Sequence, residues 1–304
     1  MLERLRQVAF LVEDLEEGKE LYRRHLGMET CHSEDLTKYG LLNAVLPAGN
    51  GTFIELLQPT STDSSAARYL ERRGEAPYLL IFETNEYGRL IPHLKSMGVR
   101  LSEDSAASGY RHAFIHPSSA NGAFLEIIEV TGGGNPWPAA GPDWQSLEHR
   151  PLTKQLRQMA VLVRDLDQAL ARWEEMFGIT ATKRFQVSFT DLEIAVLPLN
   201  GKDTFIELAQ PTGSDVPSAR FLERYGEGIY LTIYEIDDSL AMDDHLKGQD
   251  ALYTSSRVTA NYVNLGFNSI WLHPAGMKGA FTQLSQVLAE DNPWPPAGDD
   301  WHLE

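Results

Sequence analysis

The nine-residue stretch TFIELLQPT, at Thr52–Thr60, occurs a second time as TFIELAQPT at Thr204–Thr212. An apolar run that is closed by a proline is typical of a buried β-strand that ends at a turn. A carboxylate in the middle of such a strand is costly to bury unless it has a partner. The repeated position of this carboxylate therefore predicts that Glu55 and Glu207 mark functional sites.

The repeat extends along the whole chain. QVAFLV at Gln7–Val12 matches QMAVLV at Gln158–Val163, and NPWPAAGPDW at Asn135–Trp144 matches NPWPPAGDDW at Asn292–Trp301. Similarity at this spacing indicates a tandem duplication. The two tryptophan-containing arms have two interpretations: a lid over a pocket, or proline-stiffened segments whose tryptophans pack on the neighbouring half.

Within each half, the apolar pattern predicts an α+β fold. In the first half a strand leads into a helix that begins after Asp14 and ends at Gly27, and two strands follow. The same order of elements then occurs again within that half. The polar segment Gln145–Pro151 predicts the boundary between two domains, residues 1–146 and 147–304.

The composition excludes several classes of partner. The 304 residues carry a formal net charge of −17, which disfavours nucleic acid and anionic membranes. Cys31 is the single cysteine, so an internal disulfide is excluded and a reducing compartment is expected. The charged N-terminus does not resemble a secretory signal, and no apolar run approaches the length of a membrane span. We expect a cytoplasmic monomer or homodimer that takes a small-molecule substrate.

Three motifs resemble the vicinal oxygen chelate superfamily, which includes glyoxalase I, methylmalonyl-CoA epimerase, extradiol dioxygenases and drug-resistance proteins. They are QVAFLVEDL at Gln7–Leu15, SARFLERYGEG at Ser218–Gly228, and the HP…GAFLE pattern at His116–Glu126. The resemblance covers nearly the whole chain. It implies four βαβββ modules that form two vicinal oxygen chelate domains with cupped mixed sheets.

The same resemblance implies a metal site with four ligands in each pair of modules. The corresponding positions are Gln7, Glu55, Leu79 and Glu126 in the first half, and Gln158, Glu207, Leu231 and Gln283 in the second. Leucine stands in both halves where the family has a histidine. Gln7, Glu55 and Glu126 would hold a divalent metal (Mn, Co, Ni, Zn or Mg) weakly through oxygen atoms. The alternative is a metal-free pocket in which these groups hydrogen-bond to one another or to a ligand.

Gln158, Glu207 and Gln283 are a poor set of metal ligands, and we predict that they bind substrate instead. Two carboxylates are candidate catalytic bases. Glu126 is one, and Glu193, in the strand LEIAVLP, resembles the epimerase carboxylate that moves the substrate proton. A buried carboxylate whose pKa is raised toward neutrality suits this task. The alternative for Glu193 is an exposed glutamate on an edge strand.

Other polar residues have structural interpretations. Strand alternation predicts that Tyr78 and Tyr230 point away from the site, into the helix layer. We interpret His112, on a strand, and His116, in a His-Pro turn, as structural residues. No phosphate-binding glycine loop or Ser/His/Asp arrangement is present in the sequence, so we expect no nucleotide cofactor.

These observations predict a glyoxalase- or epimerase-like isomerase or lyase. Its substrate would be a small oxygenated carbonyl compound or acyl thioester, and its reaction would be proton abstraction next to the carbonyl, with or without metal assistance. The alternative is a metal-free protein that binds small molecules, as the resistance proteins of the superfamily do.

Overall fold

The computed structural model describes residues 1–104, 109–187, 190–255 and 265–303. These residues contain the α-helices α1 (Leu15–Leu26), α2 (Ser65–Arg73), α3 (Tyr87–Ser96), α4 (Leu166–Phe177), α5 (Pro217–Tyr225) and α6 (Ser239–Gly248). The first half contains the strands β1 (Arg4–Leu11), β2 (His32–Leu36), β3 (Leu41–Gly49), β4 (Thr52–Pro59), β5 (Ala76–Glu83), β6 (Leu101–Asp104), β7 (Tyr110–Ile115) and β8 (Phe124–Val130). The second half contains β9 (Gln155–Leu162), β10 (Phe185–Val187), β11 (Leu192–Pro198), β12 (Phe205–Pro211), β13 (Gly228–Glu235), β14 (Tyr253–Ser255), β15 (Phe267–Leu272) and β16 (Phe281–Val287).

Each half forms one eight-stranded mixed sheet. The strand order is β2-β3-β4-β1-β5-β8-β7-β6 in the first half and β10-β11-β12-β9-β13-β16-β15-β14 in the second. In each sheet two βαβββ modules meet along an antiparallel pair, β1 with β5 and β9 with β13. The predicted α+β fold of four such modules in two cupped sheets is confirmed. The domain boundary between residues 146 and 147 stays a prediction.

The edge strands are the elements that the apolar pattern did not locate. The β2 strand has the sequence HSEDL, the β6 strand has LSED, and neither contains a fully buried residue. Strands that face solvent at a sheet edge need no apolar alternation, and charged residues there oppose pairing with another chain. The edge positions therefore carry little sequence signal.

The helix ends follow the predicted capping residues. The side chain of Asp14 accepts a hydrogen bond from the backbone N–H of Glu17 at 2.9 Å, and Gly27 ends α1 with a φ of 65°. Asp165 and Gly178 occupy the same positions around α4. A capping carboxylate satisfies free N–H groups in the first turn, and glycine adopts the left-handed conformation without strain. None of the described helices is long and apolar enough to cross a membrane.

The two faces of each sheet have different roles. Apolar residues of the helix-covered faces of both halves form one continuous buried core, in which Tyr22 of α1 and Tyr234 of β13 take part. The opposite, concave faces form separate apolar clusters, and that of the first half contains Phe53 and Ile81. The helix layer therefore joins the halves, and each concave face is left to build a site of its own.

Two equivalent turns bring the backbones of the halves into direct contact. A Cβ atom on Gly122 would lie 2.0 Å from the backbone oxygen of Glu227, and one on Gly279 would lie 1.5 Å from that of Glu75. Both glycines have positive φ angles, 76° and 77°. These contacts are symmetric consequences of the duplication, and they hold the halves at close range.

The tryptophan arms fold back onto the half that they follow. Trp137 is fully buried in the concave-face cluster of the first half, and Trp294 is buried in that of the second. Trp144 packs edge-on against Phe53, with 5.0 Å between ring centroids. The prediction that these tryptophans pack on the neighbouring half is therefore wrong. Their indole rings fill apolar volume inside each cup, next to its polar floor.

Candidate functional site

The concave face of the first half encloses a cavity of about 1460 Å³. Its lining includes five polar side chains that come from five different strands: Gln7, Asn43, Glu55, His112 and Glu126. All of them are buried, with at most 7% of their surface exposed. The predicted trio of Gln7, Glu55 and Glu126 is therefore brought together in one cavity.

Glu55 is held by two amide groups. The side-chain N–H groups of Gln7 and Asn43 donate to its two oxygens at 2.9 and 2.8 Å. Burial raises the pKa of Glu55 to about 7, and the nearby charge of Glu126 adds to this effect, whereas the two amide donors oppose it. Near neutral pH Glu55 therefore exists in both protonation states, as a proton donor or acceptor requires.

Trp137 determines which way the amide of Gln7 points. Its indole Nε1–H donates to Oε1 of Gln7 at 3.0 Å. An indole nitrogen can only donate, so the partner atom must be the amide oxygen, and the NH₂ group of Gln7 then faces Glu55. The orientation of this amide is thus fixed by a residue that lies 130 positions away in sequence.

Arg6 packs against the indole ring of Trp137. Its guanidinium carbon lies 4.8 Å from the ring centroid, and its Nη1 pairs with Glu83 at 3.0 Å. The strand pairing skips Arg6, because Leu5 pairs with Phe82 and Gln7 with Ile81. A β-bulge of this kind redirects a side chain out of the regular alternation. It lets Arg6 approach the same indole ring as its neighbour Gln7.

Glu126 has a histidine partner. Nδ1 of His112 lies 2.5 Å from Oε1 of Glu126, and both side chains are buried. The rings of Tyr110 and Phe114 flank His112 at 5.4 and 5.2 Å. His112 is therefore not isolated on its strand, because it contacts Glu126, one of the two predicted catalytic bases.

The expectation for Tyr78 and Tyr230 also needs correction. Tyr78 lines the cavity and packs on Tyr69 and Phe124, with ring centroids 5.1 and 5.3 Å away. Both tyrosines lie at β-bulges, since the register between β1 and β5 skips Tyr78 and that between β9 and β13 skips Tyr230. A bulge breaks the two-residue period on which the prediction depended. The neighbouring Leu79 lines the cavity as well.

The second half repeats part of this arrangement. Nε2 of Gln158 donates to Glu207 at 2.7 Å, and the indole of Trp294 donates to Oε1 of Gln158 at 2.8 Å. Burial raises the pKa of Glu207 to about 7. The position of Asn43 is taken by Ile194, which pairs with Ala209 in the register of β11 and β12. The second half thus has the same tryptophan–glutamine–glutamate hydrogen bonds as the first half, but it lacks the second amide donor to the glutamate.

Gln283 stands where the first half has Glu126, and its amide bonds to two serine hydroxyl groups. Its Nε2 donates to the hydroxyl oxygens of Ser269 and Ser285 at 3.0 and 2.9 Å. Ser269 takes the position of His112, because Trp271 pairs with Gln283 as Phe114 pairs with Glu126. The second half therefore lacks the carboxylate–histidine pair of the first.

The structure does not bring Glu193 into a site with Glu207. Glu193 pairs with Gln210, whereas Glu207 pairs with Val196, three residues further along β11. Odd spacing on a strand places the two glutamates on opposite faces of the sheet. The amide oxygen of Gln210 accepts the backbone N–H of Leu166 at the start of α4, so this is the helix-covered face. The expectation that Glu193 is the catalytic base is corrected accordingly.

Comparison with protein families agrees with the geometry. A family model described as the Glyoxalase/Bleomycin resistance protein/Dioxygenase superfamily matches residues 4–127, and another model with the same description matches residues 157–264. Together these matches span more than half of the chain. The chain belongs to this superfamily.

Epimerases are among the similar proteins, and two of them match 42–43% of this chain. The mitochondrial methylmalonyl-CoA epimerase of Bos taurus is 30% identical over 133 residues, which are 42% of this chain and 75% of that protein. The ethylmalonyl-CoA/methylmalonyl-CoA epimerase of Cereibacter sphaeroides is 30% identical over 135 residues, 43% of this chain and 100% of that protein.

A solved structure matches the chain over almost its whole length. It is a mutant of 4-hydroxymandelate synthase from Streptomyces coelicolor, with a TM-score of 0.74 that covers 97% of this chain and 95% of that one. The sequences are 16% identical. At this identity the likeness concerns the fold alone, which hosts different reactions in different proteins.

The first-half site does not fit the metal that the family resemblance implies. The carbonyl oxygen of Gln7, its only ligating atom, accepts from Trp137, and both oxygens of Glu55 accept amide N–H groups. One oxygen of Glu126 contacts His112. Among the residues that the structure describes, no group of three or more His, Cys, Asp or Glu side chains could hold a metal ion. The amide of Gln7 is thus turned so that its NH₂ group, and not its oxygen, faces Glu55.

Three contributors to the site were not among the predicted site residues: Asn43, His112 and Trp137. The signal for His112 was the alternation Tyr110-His112-Phe114 on a strand that forms a hairpin with the strand of Glu126. Asn43 stands two positions before Val45, which pairs with Glu55. Both residues lie on the face that carries the glutamates, so strand register was the missing information.

Proposed function

We propose that the first half carries an active site of the isomerase or lyase type, which moves a proton next to the carbonyl group of a small oxygenated compound. The observation that carries this proposal is a pair of buried carboxylates, Glu55 and Glu126, that face one cavity with different partners. Two carboxyl groups in unlike surroundings are the usual basis for separate acid and base roles.

The chemistry assigns one role to each carboxylate. Glu126, oriented by His112, removes the proton from the carbon next to the carbonyl, and the electron pair of the broken C–H bond forms the double bond of an enol. Glu55 in its protonated form gives its proton to the carbonyl oxygen, whose pKa rises as negative charge develops there. The enol then turns in the site, Glu126 returns its proton to the opposite face of the same carbon, and Glu55 takes back the enol O–H proton, so that an epimerisation is complete and both carboxyl groups regain their initial states. A positioned acid or base of this kind contributes about 10²–10⁴-fold in rate.

The lining of the cavity indicates the kind of substrate. The stacked rings of Phe114 and Phe124, with centroids 5.7 Å apart, offer an apolar wall. The lining also includes charged side chains of both signs, the carboxylates of Glu34, Asp35 and Asp104 and the cations of Lys38 and Arg100. Lys38 and Asp104 form an ion pair. We infer a carbonyl compound with an apolar body.

A second candidate is a protein that binds small molecules without converting them. The observation that favours it is that the polar groups on the floor of the cavity already bond to one another, since Gln7 and Asn43 both donate to Glu55. Such a protein would recognise its ligand through shape and aromatic contacts. The loss of the Glu126 charge would then change its affinity by no more than a few-fold.

Hydrogen–deuterium exchange at carbon distinguishes the two candidates. The protein is incubated in deuterium oxide with a panel of 2-oxo acids, hydroxyketones and methylmalonyl-CoA, and NMR follows deuterium at the carbon next to the carbonyl. We expect exchange with at least one carbonyl compound, and a rate that falls by about 10²–10⁴-fold in Glu126→Gln. Glu207→Gln is the matched control, because it changes the equivalent strand position in the second half, and it should keep the wild-type rate.

The outcome has a clear reading. Exchange that continues at the wild-type rate in Glu126→Gln and Glu55→Gln would show that neither carboxylate moves the proton, and the proposal would be wrong. Compounds that bind with similar affinity to wild type and Glu126→Gln, without exchange in either, would establish the binding protein instead.

A further inference from the structure

A row of contacts leads to the glutamate on the concave floor of the first half. The ion pair between Arg6 and Glu83 anchors a guanidinium that lies over the ring of Trp137. Trp137 in turn donates to Gln7, and Gln7 donates to Glu55. Every member of the row except Glu83 is buried.

The second half contains the same row at equivalent positions. Nε of Arg157 lies 3.5 Å from Glu235, and its guanidinium carbon lies 5.2 Å from the ring centroid of Trp294. Trp294 then bonds to Gln158, and Gln158 to Glu207. The halves differ at the positions of Asn43, His112 and Glu126, but both contain this row of contacts.

The direction of these hydrogen bonds has a chemical consequence. A free glutamine can turn either its oxygen or its NH₂ group toward a neighbour, and a cation would select the oxygen. The indole N–H of Trp137 selects the opposite orientation, because it needs an acceptor and the amide oxygen is the only one that Gln7 has. To turn the oxygen away would leave a buried indole donor without a partner, which is costly.

We propose that Trp137 is a positioning residue: it holds Gln7 as a hydrogen-bond donor to Glu55 and keeps the oxygen of Gln7 away from any cation. Trp294 holds Gln158 in the same way in the second half. The inference rests on the proposed function only in assigning Glu55 the role of an acid. Its test needs no substrate, so the positioning role of Trp137 and the proposed reaction can be disproved independently.

The first measurement is made on the wild-type protein. Elemental analysis determines the divalent metal retained after purification, and Mn²⁺ is titrated while NMR follows the side-chain amide signals of Gln7 and the indole signal of Trp137. We expect no stoichiometric metal and no selective paramagnetic broadening of these signals. About one metal per chain that disappears in Glu55→Gln, or broadening centred on Gln7, would overturn the proposal.

The second measurement tests the positioning role. Trp137→Phe keeps an aromatic ring in the cup but removes the donor, so the amide of Gln7 becomes free to rotate. We expect its NH₂ protons to exchange with water about ten-fold faster, the effect of losing roughly one hydrogen bond. Signals of Gln158 should not change.

Two matched variants keep this result specific. Trp144→Phe alters another tryptophan of the same arm, whose indole donates to Asn135 at 3.0 Å, and it should leave the exchange of Gln7 unchanged. Trp294→Phe should accelerate the exchange of Gln158 alone. Unchanged exchange of Gln7 in folded Trp137→Phe, or equal acceleration in Trp144→Phe, would contradict the positioning role. If Trp137→Phe does not fold, Trp294→Phe and the wild-type metal titration decide.

Discussion

Gly279→Ala should destabilise the protein by about 3–5 kcal/mol, among the largest effects expected of a single methyl group here. The added Cβ would lie 1.5 Å from the backbone oxygen of Glu75 in the other half. Backbone cannot move aside as the end of a flexible side chain can, so the turn itself must shift. The positive φ of 77° adds strain for any residue with a Cβ atom. Urea unfolding followed by fluorescence measures the loss.

The control separates strain in the backbone from contact between the halves. Gly98 also has a positive φ, 70°, but a Cβ atom there meets nothing within 4 Å. Gly98→Ala should therefore cost only about 1 kcal/mol. Gly122→Ala, whose Cβ would lie 2.0 Å from the backbone oxygen of Glu227, should resemble Gly279→Ala. Equal effects of Gly98→Ala and Gly279→Ala would mean that the halves do not touch at this turn.

The contribution of Glu55 and Glu207 to stability should fall as the pH rises from 4.5 to 7, because burial raises the pKa of both carboxyl groups in the folded state. Burial raises the pKa values of Glu55 and Glu207 from 4.5 to about 7. Between these values the folded state keeps protons that the unfolded state has released, so unfolding is favoured as protons become scarce. The stabilisation is complete below pH 4.5 and is lost as the pH rises through 7. Each group contributes up to about 3 kcal/mol.

The variants Glu55→Gln and Glu207→Gln test this dependence. An uncharged amide of similar shape cannot titrate, so the free energy of unfolding of the double variant, measured in urea at several pH values, should be flatter than that of wild type between pH 4.5 and 7. Glu71→Gln, at an exposed position on α2, is the control and should leave the slope unchanged. A wild-type slope that persists in the double variant would show that the two carboxyls titrate normally.

The turns and the buried glutamates both occur at equivalent positions in the two halves. The turns at Gly122 and Gly279 are equivalent, and so are the glutamates at 55 and 207, since each pair descends from one ancestral position. The glutamates remain similar in burial and in the direction of their pKa shift, although only Glu55 has a second carboxylate beside it. The chemistry that we propose for the first half therefore needs Glu126 and His112 in addition to the shared glutamate.

The sequence by itself determined the duplication and the α+β fold, and the family resemblance implied that Gln7, Glu55 and Glu126 meet in one site. The fold follows from strand periodicity and capping residues, which are properties of neighbouring positions, and the duplication follows from comparing the two halves of the sequence. It also determined that a leucine, Leu79, stands where a metal-binding histidine is expected. All of this could be predicted without knowledge of the tertiary structure.

The tertiary structure alone decided how those residues are used. The bond from Trp137 to Gln7 joins positions 130 residues apart, and no local pattern announces it. The bulge at Tyr78 reverses the face that alternation predicts, and register sends Glu193 to the helix-covered side. Whether a polar residue on a strand reaches a cavity depends on one-residue shifts in pairing, which hydrogen bonds between distant strands determine.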